Sequence, residues 1–127
     1  MKPAWRLKSL MDQSGSSVLE FALVAPVMIM LIIGGIYLSL LGYTVASLHY
    51  ATEAAARCAS LDTTNCGTAA GVSAFARQKF SNFSGSTATF NLTTPACGFN
   101  VASSLNYNLN IGTKTIVIPI NSQSCFP

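Results

Sequence analysis

FALVAPVMIMLIIGGIYLSLLGYTVASL, residues 21–48, contains no Asp, Glu, Lys, Arg or His at any position. A run of that length and composition reads as a membrane helix, because about 20 apolar residues suffice to cross the hydrocarbon core. At ~1.5 Å per residue it reaches roughly 42 Å, more than a ~30 Å apolar layer, so the helix is expected to span the bilayer and project from it. Upstream stand Lys2, Arg6 and Lys8 with only Asp12 against them, whereas the downstream flank opens with Glu53 and Arg57. That excess of cations marks the N-terminal segment as cytoplasmic and sends the remainder to the periplasmic side.

The whole chain agrees with this reading. Half of its 127 residues are hydrophobic and 9% are charged, against about 25% charged in ordinary soluble domains. The formal net charge of +3 is concentrated in the leader, which leaves no basic stripe for nucleic acid. His49–Pro127 is a short stretch, near the lower limit for a domain that folds on its core alone, so crosslinks are expected. Cys58, Cys66, Cys97 and Cys125 all lie beyond the apolar run. An even count in an exported segment implies disulfides. Four cysteines allow three pairings; local closure favours Cys58 with Cys66 and Cys97 with Cys125. With no C-x-x-C pair and a single His49, zinc is disfavoured, and neither metal nor cofactor is expected.

Along the chain, residues 1–15 form a basic leader, residues 16–60 one long helix whose membrane segment is 21–48, and residues 61–127 a small extracytoplasmic domain. The second half of the helix is rich in alanine, a strong helix former, at Ala51, Ala54, Ala55, Ala56 and Ala59. Pro26 is expected to kink or loosen its early turns. Asp62-Thr63-Thr64-Asn65 reads as a turn. Val72, Phe75, Ala76, Phe80 and Phe83 recur at helical spacing, predicting a second amphipathic helix over about 67–83. The period then changes to two. Ala88, Phe90 and Leu92 alternate with polar residues, as do Leu105, Tyr107, Leu109 and Ile111, which is the pattern of half-buried antiparallel strands. Gly112-Thr113 suits a type II′ hairpin, and Pro119 places the last strand at an edge. The fold class is therefore α+β: a long N-terminal helix, a shorter helix and a small antiparallel sheet pinned by disulfides.

The chemistry-bearing stretch is Gly15-Ser16-Ser17-Val18-Leu19-Glu20-Phe21-Ala22-Leu23-Val24-Ala25-Pro26. A carboxylate at the mouth of an apolar span needs a partner. Cleavage after Gly15 would create one, since the new Ser16 amine lies four residues before Glu20, an i,i+4 spacing. The arrangement resembles a prepilin cleavage site, with Gly15, Ser16, Glu20 and Phe21 as its recognition residues. As a whole, the stretch resembles the TadE-like pseudopilins of the tight-adherence (Tad/Flp, type IVc) pilus. The matching features are Lys2, Arg6 and Lys8, Gly15, Leu19-Glu20-Phe21-Ala22-Leu23, Pro26, Gly34-Gly35 and Ala54-Ala55-Ala56-Arg57. Cys58 departs from it, standing where an aromatic is common.

The resemblance implies a structural subunit for adhesion and pilus biogenesis, not an enzyme, in the bacterial inner membrane or an extracellular pilus. Its partners would be the membrane, a prepilin peptidase, other pilin-like subunits and the assembly machinery, with no small-molecule substrate. The rival reading is a single-pass anchored binding or adhesin module that is never processed. Gly35, Ser39, Gly42 and Ala46 form a stripe of small side chains suited to close helix packing. His49 and Tyr50 are expected at the membrane interface.

Overall fold

The computed structural model describes residues 14–127, so Lys2, Arg6, Lys8 and most of the leader lie outside the described residues. Among those described, the order is α1 (Ser14–Leu61), α2 (Thr63–Cys66), α3 (Ala69–Lys79), β1 (Thr89–Thr93), β2 (Phe99–Ile111) and β3 (Lys114–Phe126). The architecture is α+β. Two compact units divide the chain, one ending at Tyr37 and the other running Leu38–Pro127.

Helix α1 continues through Pro26, although proline removes one donor from the i→i−4 ladder. It starts ahead of Ser16 and stops at Leu61, where Asp62 takes over as a cap. The Asp62 carboxylate accepts from the backbone N–H of Thr64 at 3.0 Å and of Asn65 at 3.1 Å. The expected turn at 62–65 is consequently one turn of helix, α2, because this Asx cap satisfies donors that a helix start leaves open. Helix α3 opens on Thr68, whose hydroxyl accepts from Gly71 N–H at 3.1 Å. It ends at Lys79 instead of reaching Phe83, since Phe80 leaves in an extended conformation. Arg77 and Lys79 occupy its last turn, where cations suit the helix dipole.

The sheet has the order β1-β2-β3, antiparallel throughout. Val101, Ser103, Leu105 and Tyr107 are buried while Ser104, Asn106 and Asn108 are exposed, the alternation required of a sheet with one covered face. Ile111 pairs with Lys114 across Gly112-Thr113. Gly112 has φ 60° and Thr113 does not share the left-handed region, as in a type II′ turn. Pro119 sits in β3, an edge strand, as its missing donor demands.

The core of the Leu38–Pro127 unit joins Leu48, Ala51, Ala55 and Ala59 of α1 to Val72 and Ala76 of α3 and to Phe90, Val101, Leu105, Tyr107 and Ile120 of the sheet. Alanine on the helix face is what lets the backbone approach the pleated surface closely. Two disulfides close the periphery. Cys58–Cys66 ties the end of α1 to α2 with Cα atoms 5.7 Å apart, and Cys97–Cys125 ties the β1–β2 connection to the end of β3 at 6.3 Å. Of the three pairings open to four cysteines, the local one is realised.

Candidate functional site: the apolar helix and its first turns

From residue 17 onward, the first part of α1 presents apolar side chains in every direction. Leu19, Phe21, Leu23, Met30, Leu31 and Leu38 are each at least 65% exposed, and among residues 17–39 of the helix only Ala25 is even half-buried in the described structure. A water-facing helix cannot carry such a surface on all sides; a lipid-facing one must. The most apolar window has a mean hydropathy of 2.5 and no buried share, which fits a single-pass membrane anchor.

At the head of this helix, Gly15 is exposed, and a Cβ placed there would meet nothing within 4 Å. The backbone of Ser16 is helical, and Glu20 and Phe21 are exposed. The Gly15–Ser16 peptide thus lies within the first helical turn, four residues before Glu20 in regular α-helix. Gly35, Ser39, Gly42 and Ala46 are all exposed, and a Cβ on Gly34, Gly35 or Gly42 would meet nothing within 4 Å.

Farther along α1, a polar seam crosses the core of the Leu38–Pro127 unit. Thr52 Oγ1 donates to Leu48 O at 2.7 Å and also stands 2.7 Å from Ser103 Oγ. Ser103 Oγ in turn reaches Ser122 O at 3.2 Å, and Ser122 Oγ lies 2.8 Å from His49 Nδ1. Thr52 and Ser103 bring two hydroxyl protons to three contacts, so one contact yields whenever the other two form. The seam was present in the sequence as phase: Ser103 falls on the same strand face as Leu105 and Tyr107, and Thr52 falls on the Leu48, Ala55, Ala59 face. His49, expected at the membrane interface, is therefore engaged with the sheet, while Tyr50 is 62% exposed. Among the described residues no group of His, Cys, Asp and Glu side chains is arranged to hold a metal ion.

Comparison with known proteins finds a likeness, and it falls on the exposed helix. Residues 15–57 match the family model described as TadE-like protein. Over that stretch the long helix is similar to the TadE-like family. The match begins at Gly15 and ends at Arg57, so it covers about a third of the chain and leaves the sheet outside it. No curated protein and no solved structure matches the chain. The TadE-like family is one of pilin-like structural components of the Tad pilus, and the likeness here is confined to residues 15–57.

Proposed function

We propose that this protein is a minor pilin-like subunit of a Tad pilus that is stored in the bacterial inner membrane, cut after Gly15 by a prepilin peptidase, and used in building an adhesive pilus. The TadE-like match beginning at Gly15 carries the reading. The exposed apolar helix supports membrane storage, and its small residues Gly35, Ser39, Gly42 and Ala46 leave room for neighbouring subunits. The positive leader puts the N-terminus in the cytoplasm and the disulfide-bearing unit in the oxidising periplasm.

Processing has a local physical basis. A peptidase that binds its substrate extended has to unwind the first turn of α1, and glycine lowers that barrier because it is a poor helix former by about 1 kcal/mol. Without a Cβ, Gly15 also leaves the scissile backbone open to attack. The new Ser16 amine then faces Glu20 at i,i+4 spacing, within the subunit or across to a neighbour. Gly15→Leu should leave the leader attached, as read by mass spectrometry of membrane-extracted protein; normal maturation of that variant would contradict the site.

Glu20 is far in sequence from the sheet and the cysteines, and Glu20→Ala makes the span more apolar. What it takes away is the charge that compensates the Ser16 amine when subunits pack and water leaves. The variant should be present at near-normal level, oxidised and membrane-bound, yet recovered with pilus components at a small fraction of the wild-type yield. Recovery at wild-type yield refutes the assembly role. A second reading, the unprocessed anchored module, draws support from the helix starting at Ser14, ahead of the proposed cut. N-terminal sequencing separates the two, with Ser16 for the first and Met1 for the second.

A further inference from the structure

The β2–β3 hairpin runs past its own core. Its last core-packed residues are Leu109 and Ile118, and beyond them Ile111, Ile116 and Val117 are 55%, 48% and 54% exposed. Ile111 and Ile116 share the inner face, whereas Val117 lies on the outer one, so the tip is apolar on both sides. A second exposed apolar group is the ring pair Tyr43–Phe83, with centroids 5.4 Å apart.

Contacts inside the Leu38–Pro127 unit fix the end at which these groups lie. Ser60 bonds Pro127, Arg57 stacks over Phe126, Thr52 meets Ser103, and His49 meets Ser122. Helix numbers therefore fall as β2 numbers rise. From Thr52 back to Leu38 is about 21 Å of helix, and from Ser103 to Ile111 about 27 Å of strand. Both lengths run toward the same end of the unit, so the tip lies at the end where Leu38 enters it. Ser47 accepts from Ser81 N–H at 2.9 Å, so the Phe83 loop belongs to that same end.

The charge distribution has the same sense. The unit's formal charges are Glu53, Arg57, Asp62, Arg77, Lys79 and Lys114. The two carboxylates stand on or after the later turns of α1, and the tip carries Lys114 alone.

We propose that the hairpin tip and the Tyr43–Phe83 pair form a seat on the bilayer interface, with Ile111, Ile116 and Val117 at the headgroup–acyl boundary and Lys114 toward anionic headgroups. The inference rests on the membrane-anchor reading of α1, whose apolar surface is continuous in sequence with Leu38. Tyr43, a ring with one polar end, favours this layer, Phe83 packs against it as apolar surface, and a lysine beside them gains from negative surface potential. The seat gives the unit a second hold on the membrane besides the helix. Pulling a subunit out of the bilayer then detaches two surfaces instead of one.

The test uses the full chain with Trp5→Phe, reconstituted in phosphatidylcholine–phosphatidylglycerol vesicles with and without brominated acyl chains. Single tryptophans are introduced by Leu31→Trp, Ile111→Trp, Val117→Trp and Asn65→Trp. Leu31→Trp should be strongly quenched, Ile111→Trp and Val117→Trp at least threefold more than Asn65→Trp, and Asn65→Trp barely. If Leu31→Trp is quenched while both tip variants behave like Asn65→Trp, the seat is overturned and the anchor stands. If Leu31→Trp is also unquenched, both fall. Tip emission that is insensitive to bromine but shifts with protein density would show that another copy of the chain covers the tip, and would overturn the lipid assignment.

Discussion

The two halves of α1 are made of the same regular helix and treat side chains in opposite ways. From Val18 to Leu38, large residues such as Phe21, Met30 and Leu31 are exposed, while from Thr44 to Ala59 the buried positions are mostly alanine. Hydropathy ranks the first half as the more apolar, yet the second half is the one inside a protein core. The difference is one of neighbours. A lipid-facing helix needs bulk on every side and no particular shape, whereas a helix lying on a sheet needs one face of small residues so that the surfaces interlock.

The largest expected effect follows from asking what holds each half. Between Leu38 and Pro127 the helix is part of a small core closed by Cys58–Cys66 and Cys97–Cys125, and no disulfide touches the residues before it. Losing a native disulfide from a small exported domain costs about 2–5 kcal/mol, and the total stability of such domains is roughly 5–15 kcal/mol. Full reduction in detergent micelles should abolish the cooperative melt and near-ultraviolet signal of the sheet-bearing unit. Helical signal from the apolar half should survive. Native protein should show no free thiol on mass mapping. A reduced chain that melts as before would erase the distinction between the halves.

A smaller effect separates the same regions by substitution. Ala55 is fully buried, so Ala55→Leu forces extra methylenes between helix and sheet at a cost of about 1–3 kcal/mol. Leu31 is 68% exposed, and Leu31→Ala should leave the denaturation midpoint of the sheet-bearing unit unchanged. Chemical denaturation of the two variants in the same detergent measures both. Equal losses would mean that the exposed half supports the fold after all.

How much of this was legible in the sequence depends on the range of the signal. The apolar run, the strand alternation at Leu105–Ile111, the Gly112 hairpin and the edge position of Pro119 are local patterns, and the structure reproduces them. The ends of α3 and the character of 62–65 were not, because a cap decides them: Asp62 turns a polar tetrapeptide into helix, and the extended Phe80 stops α3 before Phe83. The alanines at 51, 55 and 59 read as helix propensity, yet their common face is the floor of the core. That role depends on a sheet that opens 30 residues after Ala59 in sequence. Gly15 and Glu20 were marked by spacing, and the family match covers both; the proposed cut would be a chemical event in another protein's active site, which no feature of this fold enforces.

The smallest effect sharpens where the second half of α1 ends. Asp62 follows Leu61 directly, and its carboxyl is held below the ordinary 3.8, first by the Asn65 side chain, which donates to it at 2.7 Å, and then by the Asn65 and Thr64 backbone N–H groups. A carboxyl whose folded value is depressed contributes its stability in full above the unfolded value and loses it as pH falls through the folded one. The contribution should therefore be constant from neutral pH down to about 4.5, fade below 3.8, and vanish at lower pH. Asp62→Ala should lower the melting temperature of the sheet-bearing unit slightly at neutral pH and flatten the difference from wild type in acid. The Cys58–Cys66 bridge spans this cap, so α2 keeps its place when Asp62 is neutralised and the loss stays small. Thermal melts of both proteins between pH 7 and pH 2.5 test it, and a difference that stays constant or widens as pH falls would show that the cap acts through something other than the charge of Asp62.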